Sequence, residues 1–347
     1  MEIADLLAFA MEQQASDLHV SADLPPLLRI HGDIRPIAVA PLAHADVRAM
    51  LYAVMSDPQR RQYADTQDCD FAFALPELGR FRVNAFVHSR GAGAVFRLIP
   101  TQLPSLTELG VPPVLAELAR RPRGLILVTG PTGSGKSTTL AAMLQQINHE
   151  RHAHILTIED PIEFIHPSGR SLIHQREVHT HTQGFSQALR SALREDPDVI
   201  LVGEMRDVDT MRLALTAAET GHLVLASLHT QSAVQTVDRV VDSFPAAERA
   251  MVRSVLAESL QAVVAQTLLK TASGHGRVAA FEVMLASPAI RHQIRDDKVA
   301  QMYSTLQTSQ ALGMQTLDQA LQQLVQRQQI SPASARQHAL DKTLFPG

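Results

Sequence analysis

The chain has 347 residues, of which 45% are hydrophobic, so we expect two or three domains, each with an apolar core. Its formal net charge is −4 and no basic tract stands out, so the composition does not indicate a nucleic-acid-binding surface. The single cysteine, Cys69, excludes an internal disulfide and fits a reducing compartment. We expect Cys69 to be a buried or half-buried structural residue and not a nucleophile.

Residues 1–14 form the first predicted element, an amphipathic helix. They begin acidic and lack the basic segment and long apolar run of a secretory signal. Nothing in the sequence approaches the roughly 18 consecutive apolar residues of a membrane-spanning helix. We therefore expect a soluble, cytoplasmic protein without a membrane span of its own.

Residues 1–100 differ in texture from the rest of the chain. Short apolar runs, such as Leu27–Ile30 and residues 81–87, alternate with turn residues, which predicts strands and hairpins flanked by helices in an α+β domain. Residues 101–122 are rich in proline and predict a linker that contains a short helix near residues 114–120.

An α/β pattern begins at Arg123. Four apolar runs alternate with periodic helical segments, which predicts a parallel sheet covered on both faces. The runs are residues 125–129, residues 155–158, Val199–Val202 and residues 223–226. We assign residues 123–275 to this core. Beyond Ser243 the periodicity predicts helices, with one apolar stripe over residues 251–263 and a final helical stretch over about 315–340. Residues 276–347 are predicted to be a C-terminal helical region.

A phosphate-binding loop follows the first of these strands and opens a helix. The sequence matches G-x-x-x-x-G-K-[ST] in full. Glycines let main-chain N–H groups face the phosphates, Lys136 reaches their oxygens, and the Ser137 hydroxyl is a ligand for Mg²⁺. The predicted cofactors are therefore ATP and Mg²⁺. The predicted nucleotide-binding residues are Gly130, Pro131, Thr132, Gly133, Ser134, Gly135, Lys136, Ser137 and Thr138.

Absent motifs and the residues at the strand ends limit the classes of nucleotide-binding enzyme to which the chain could belong. The chain lacks the Asn-Lys-x-Asp motif of GTPases and the Leu-Ser-Gly-Gly-Gln motif of ABC ATPases, whereas a kinase stays open. Glu204 follows an apolar strand, and ligands bind at the carboxyl ends of the strands in open α/β sheets. We therefore predict that Glu204 lies beside the γ-phosphate and that it orients and deprotonates the attacking water.

Further polar residues flank two other strands. Glu159 and Glu163 follow the second strand of the core, where we expect water-mediated Mg²⁺ binding and γ-phosphate sensing, with structural salt bridges as the alternative. His222 precedes the last strand and His229 follows it, and we predict a catalytic role for both. The histidines His174, His179 and His181 lack the spacing of a metal site.

Four boxes in this order make the chain resemble the secretion ATPases of type II secretion and type IV pili. Residues 130–138 look like the Walker A motif of that family, 155–163 like its Asp box, 193–207 like its Walker B region, and 216–230 like its His box. The retraction ATPases of the family are the most similar. Residues 15–19 and 289–296 resemble their terminal motifs, although His292, Gln293 and Asp296 differ. One cysteine cannot form the four-cysteine zinc site that is usual in extension ATPases.

The resemblance implies a PAS-like N-terminal domain joined to a RecA-like P-loop ATPase domain. It also implies a homohexameric motor that powers pilus retraction and twitching motility, at the cytoplasmic face of the inner membrane. The implied partner is an inner-membrane pilus platform protein, with no nucleic acid. Arginines of the N-terminal domain are implied to complete the site, at Arg82 and Arg97 in this sequence; surface ion pairs are the alternative, and a role for Arg90 stays open.

Two other functions remain open at this point. A nucleic-acid-translocating motor would show ATPase activity that DNA stimulates with a steep salt dependence. A non-catalytic regulatory ring would bind nucleotide tightly without releasing phosphate, and Glu204 argues against it.

Overall fold

The computed structural model describes residues 2–30, 32–76, 78–99, 103–274 and 276–345. The chain divides into two compact units, Met1–Gln102 and Leu103–Gly347. Residues 101 and 102 of the predicted linker lie outside the described residues, as do the outer limits of several predicted regions, at residues 1, 100, 275 and 347. No helix within the described residues is long and apolar enough to span a membrane.

The first unit is a six-stranded antiparallel sheet with three helices. The strands lie in the order β3-β2-β1-β6-β5-β4. Its elements are α1 (Ile3–Glu12), β1 (Asp17–Ser21), β2 (Leu27–Ile30), β3 (Asp33–Pro36), α2 (His44–Val54), α3 (Asp57–Thr66), β4 (Asp68–Leu75), β5 (Gly79–His88) and β6 (Gly91–Ile99). Side chains alternate across the strands, so Phe81, Val83 and Phe96 are buried in one core with Leu7 and Leu51 of the helices. This agrees with the predicted α+β texture.

The second unit is a seven-stranded sheet covered by helices on both faces. The order is β13-β12-β7-β11-β10-β8-β9, in which only the edge strand β13 is antiparallel. Its elements are α4 (Val114–Ala119), β7 (Gly124–Thr129), α5 (Lys136–Glu150), β8 (His154–Glu159), β9 (Leu172–Glu177), α6 (Phe185–Ala192), β10 (Val199–Val202), α7 (Val208–Glu219), β11 (Leu223–Leu228), α8 (Ala233–Asp242), α9 (Arg249–Ser259), β12 (Leu260–Lys270), β13 (Arg277–Leu285), α10 (Pro288–Arg295), α11 (Val299–Thr308), α12 (Leu317–Gln326) and α13 (Pro332–His338).

Burial on both faces explains the continuous apolar runs of the central strands. Every residue of β7 is buried. Leu125 and Leu127 pack in the core on one face, whereas Ile126 and Val128 pack on the other with Leu144 of α5. The strands β7, β11 and β10 are parallel, so their carboxyl ends lie at a common edge of the sheet. Loops at that edge carry the polar residues.

The predicted linker is corrected by its packing. Leu106, Leu115 and Leu118 are buried in the same core cluster as Ile126 and Leu144. Residues 103–122 are thus part of the second unit, because their apolar side chains cover one face of its sheet. The short helix predicted within this segment is α4.

The prediction that the chain is helical beyond Ser243 is wrong for two strands. The helix α9 ends at Ser259 and β12 begins at the next residue, so no glycine or proline marks the change in the sequence. The apolar stripe predicted over 251–263 runs across this junction, and its first member, Met251, is 57% exposed. The region 276–347 likewise begins with a strand, β13. The final helical stretch predicted over 315–340 is confirmed and consists of two helices, α12 and α13.

Candidate active site

The loop between β7 and α5 has the backbone of an anion-binding turn. Gly130, Gly133 and Gly135 have φ angles of 143°, 78° and 88°, a region that glycine adopts readily. The first hydrogen bond of α5 runs from the Thr139 N–H to the Gly135 carbonyl, at 3.0 Å. The N–H groups of residues 136–138 precede it at the positive end of the helix dipole, where phosphate oxygens are favoured.

Lys136 is the first residue of α5, and its side chain folds back onto this loop. Its Nζ donates to the carbonyl oxygens of Gly130 at 2.9 Å and Pro131 at 3.1 Å. Burial lowers the pKa of Lys136, and the negative charges of Glu204 and Glu163 act in the opposite direction. The ammonium therefore has carbonyl oxygens as its hydrogen-bond acceptors, and phosphate oxygens could act as acceptors in the same way.

Two hydroxyl groups test whether the loop fits a nucleotide with Mg²⁺. The Ser134 Oγ is buried and has no hydrogen-bond partner among the described residues. Ser137 is exposed at the start of α5. Buried hydroxyl groups normally have partners, so a phosphate oxygen at Ser134 would satisfy this one. A hydroxyl at the Ser137 position can hold Mg²⁺. The residues present thus fit both groups.

A row of side chains joins Lys136 to Glu204. Lys136 Nζ lies 3.3 Å from His229 Nδ1, and His229 Nε2 lies 2.9 Å from Glu204 Oε1. An ammonium can only donate, so Nδ1 accepts and the ring proton on Nε2 is donated to the carboxylate. His229 thereby fixes the position of Glu204 relative to the phosphate-binding loop.

The sheet brings these residues together. Glu204 lies two residues beyond β10, and the following Met205 N–H donates to the Ser227 carbonyl of β11 at 3.0 Å. His229 is the residue after β11. The pairing between β10 and β11 thus continues past the strand end and holds Glu204 beside His229.

Arg206 sets the charge of Glu204. Its Nη2 lies 2.9 Å from Glu204 Oε2. Burial alone would raise the pKa of Glu204, but the hydrogen bond from Arg206, with the charges of Arg206 and Lys136 and the contact with His229, outweighs burial and lowers it. The side chain is 19% exposed, so water can reach an ionised carboxylate that is able to accept a proton.

Glu159 and Glu163 belong to the end of β8 and the loop after it. Glu159 accepts from Thr157 Oγ1 at 2.6 Å and from Gln175 Nε2 at 3.2 Å. Burial raises the pKa of Glu159 to about 7, against these two hydrogen bonds. Glu163 is close enough to Lys136 to act on its pKa. The structure thus places Glu163 near the phosphate-binding loop and Glu159 in a hydrogen-bonded pocket beside it.

His222, for which a catalytic role is predicted together with His229, is not brought to this site within the subunit. It precedes β11, so it lies at the opposite edge of the sheet from His229. Its Nδ1 lies 2.9 Å from the Ala217 carbonyl at the end of α7. Within one chain His222 therefore caps the end of α7. The strand β11 separates it from His229.

Arg82 and Arg97 belong to the first unit, where they are opposite each other on β5 and β6. Arg97 Nε lies 2.9 Å from Asp17 Oδ1, and the Arg97 side chain is 55% exposed. Arg90 lies in the turn between the two strands and is exposed. The two predicted arginines therefore share one face of their sheet.

Two residue groups set aside by the sequence have structural explanations. No group of three His, Cys, Asp or Glu side chains suited to a metal ion occurs within the residues that the structure describes. His174 Nδ1 lies 3.0 Å from His154 Nε2. Cys69 is buried, and burial raises the pKa of its thiol, so it is a poor nucleophile.

Gln266 is a residue of the site that sequence reasoning missed. It is buried on β12, and its Oε1 accepts from Thr139 Oγ1 of α5 at 2.8 Å. Its carbonyl and the Ser134 Oγ lie against the Cα of Gly130 where a side chain would begin. Gln266 thus packs on the phosphate-binding loop from a strand that the sequence predicted to be a helix, and a glutamine between apolar residues gave no other signal.

Comparison with known proteins agrees with this geometry. The family model described as type II/IV secretion system protein matches residues 2–343. The chain belongs to this family. It is 60% identical to the type IV pilus retraction ATPase PilT of Pseudomonas aeruginosa over 98% of each chain. It is 42% identical to the type IV pilus ATPase PilU of the same organism, over 98% of this chain and 89% of that one.

A solved structure has the same fold. The crystal structure of the pilus retraction motor PilT with bound ADP superposes with a TM-score of 0.90 at 43% identity, over 99% of this chain and 98% of that one. The resemblance to the secretion ATPases is confirmed, and within this family the chain is a homologue of the pilus retraction ATPases.

We predict that Gly130→Ala weakens ADP binding at least about tenfold. A Cβ at this position would meet the Gln266 carbonyl and lie 2.7 Å from Ser134 Oγ, and the φ of 143° disfavours other residues by about 1–3 kcal/mol. The ADP dissociation constant, measured by calorimetry, tests this. Gly184→Ala is the matched control, because no atom lies within 4 Å of the position that the new Cβ would take and the φ of Gly184 is 179°. Equal affinity in the Gly130→Ala and control variants would contradict the prediction.

Proposed function

We propose that the chain is the ATP-hydrolysing subunit of a motor that powers type IV pilus retraction and twitching motility. The observation that carries this proposal is the row Lys136–His229–Glu204, which joins a phosphate-binding loop to an ionised carboxylate. A binding-only protein does not need a carboxylate held in this position. Membership of the secretion family, with high identity to a pilus retraction ATPase, supports the choice of substrate and process.

In this proposal the main-chain N–H groups of the loop and Lys136 bind the phosphates of ATP. The Ser137 hydroxyl would hold Mg²⁺, and the charge of the metal would be available to neutralise that of the phosphates. Glu204 orients the attacking water and accepts its proton, and His229 holds the carboxylate in line with the γ-phosphate. Glu159 and Glu163 would hold Mg²⁺ through water, and the raised pKa of Glu159, about 7, lets this side chain exchange a proton near neutral pH.

The rest of the site would come from a neighbouring subunit. We propose a homohexamer in which Arg82 and Arg97 of one subunit stabilise the charge that develops at the nucleotide of the next, because a planar guanidinium suits phosphate oxygens. His222 lies far from the nucleotide of its own subunit along β11, so any catalytic role for it would also be across a subunit boundary. The exposed half of Arg97 supports its availability.

The two units and the cellular setting complete the proposal. The first unit would be PAS-like and the second RecA-like, which fits an antiparallel sheet with helices in one and a mostly parallel covered sheet in the other. The ring would work at the cytoplasmic face of the inner membrane, where a pilus platform protein is its partner.

We expect Glu204→Gln to retain nucleotide binding and to lose turnover. The amide keeps the shape of the side chain but cannot accept the proton of water, a loss of roughly 10²–10⁴-fold. Phosphate release and the dissociation constant of an ATP analogue measure the two effects separately. Glu219→Gln, which changes an exposed carboxylate at the end of α7, is the control. Unchanged turnover in Glu204→Gln would exclude its role as the base.

A strain that carries only the Lys136→Ala chain should lose twitching and accumulate surface pili. Lys136 contacts the phosphates in this proposal, so pili would be made but not withdrawn. Twitching assays and electron microscopy of surface pili test the prediction. Bald cells would indicate pilus extension, and normal twitching would indicate a scaffold that does not need nucleotide.

A further inference from the structure

A buried carboxylate lies between the active-site loop and the C-terminal helices. Glu282 of β13 is 2% exposed. One of its oxygens accepts from the Ala233 N–H at 2.6 Å and the other accepts from the Leu317 N–H at 3.4 Å. A buried carboxylate is unfavourable unless it is hydrogen-bonded, so both contacts are needed where Glu282 lies.

Both donors open helices. Ala233 is the first residue of α8 and Leu317 is the first residue of α12. The first N–H groups of a helix have no partner within it and lie at the positive end of its dipole. Glu282 therefore joins the starts of two helices that are distant in the sequence, and its negative charge suits both.

The helix α8 follows the loop that carries His229. Thr230, the residue after His229, lies 2.7 Å from Thr236 through their hydroxyl oxygens. Thr236 Oγ1 also lies 3.5 Å from Thr129 Oγ1, at the last residue before the phosphate-binding loop. The first turn of α8 thus contacts the residue that follows His229 and the last residue before the phosphate-binding loop.

The helix α12 is fixed to β13 independently of Glu282. Gln315 pairs with Val283 through backbone hydrogen bonds of 2.8 and 3.1 Å, and its side chain donates to the Phe281 carbonyl. The Glu282 carboxylate is therefore not required to place α12 on the sheet. Its additional contact is the one to α8.

We propose that Glu282 is a positioning residue for ATP hydrolysis: it fixes the start of α8 against β13 and α12, and thereby holds His229 between Lys136 and Glu204. The inference rests on the proposed ATPase function. It links the C-terminal helices to the active site through one side chain that does not touch the nucleotide.

The test is Glu282→Gln, alone and combined with His229→Ala. The amide oxygen can accept from only one of the two N–H groups, and the NH₂ group would face the other donor. We expect kcat to fall about tenfold, because small displacements of catalytic groups are costly, with the ADP dissociation constant changed less than about twofold. If Glu282 acts through His229, its substitution should lower kcat by less than about twofold in the His229→Ala background.

Asp318→Asn is the matched control. Asp318 is also a buried carboxylate that accepts two backbone N–H groups, from Leu340 at 2.9 Å and Asp341 at 3.0 Å, but neither belongs to α8. We expect it to lower the thermal midpoint as Glu282→Gln does while leaving kcat within about twofold of wild type. An equal loss of kcat in both variants would reduce Glu282 to a general stabilising contact and overturn the inference.

A second variant protects the test against misfolding. Thr236→Val removes the link from α8 to Thr230 and Thr129 and keeps Glu282 intact. It should lower kcat and show the same non-additivity with His229→Ala. If the loss of kcat caused by Glu282→Gln or Thr236→Val is as large in the His229→Ala background as in wild type, the inference about Glu282 is overturned. The proposed ATPase function would stand in that case, because wild type would still hydrolyse ATP. A wild-type chain without ATPase activity would instead overturn the proposed function.

Discussion

The arrangement on which the account of the second unit depends is the contact of the His229 imidazole with both the Lys136 ammonium and the Glu204 carboxylate. Lys136 opens the helix after β7, whereas His229 and Glu204 lie in the loops after β11 and β10, at the same edge of the sheet. A half-buried charge without a partner is costly, so the row stabilises Lys136 and Glu204 through each other. It also holds the base at a set position relative to the phosphate-binding loop.

This contact depends on the order of the strands. The strand β11 lies between β7 and β10, so its carboxyl end separates the phosphate-binding loop from Glu204. The antiparallel strand β13 contributes from the edge. Its partner β12 presses Gln266 against Gly130, and β13 itself supplies Glu282 to the start of α8. The strands β12 and β13 thus contact the phosphate-binding segment and the start of α8.

Much of the site could be predicted from the sequence because apolar strands end at polar residues. The phosphate-binding loop, Glu204 and His229 all follow buried runs, and parallel strands bring such ends together. His222 lies outside the site within the subunit because a strand has two ends, and only the carboxyl end of β11 faces the site. Gln266 and Glu282 were missed because α9 passes into β12 without a glycine or proline, so the helical stripe appeared to continue and both strands were hidden.

The most direct test of this account is a crystal structure of the chain with a non-hydrolysable ATP analogue and Mg²⁺. The account predicts that the Lys136 ammonium exchanges the carbonyl oxygens of Gly130 and Pro131 for phosphate oxygens, while His229 keeps Glu204 directed at a water beside the terminal phosphate. A terminal phosphate bound away from Lys136, or a Glu204 side chain turned away from it with no water between them, would contradict the account.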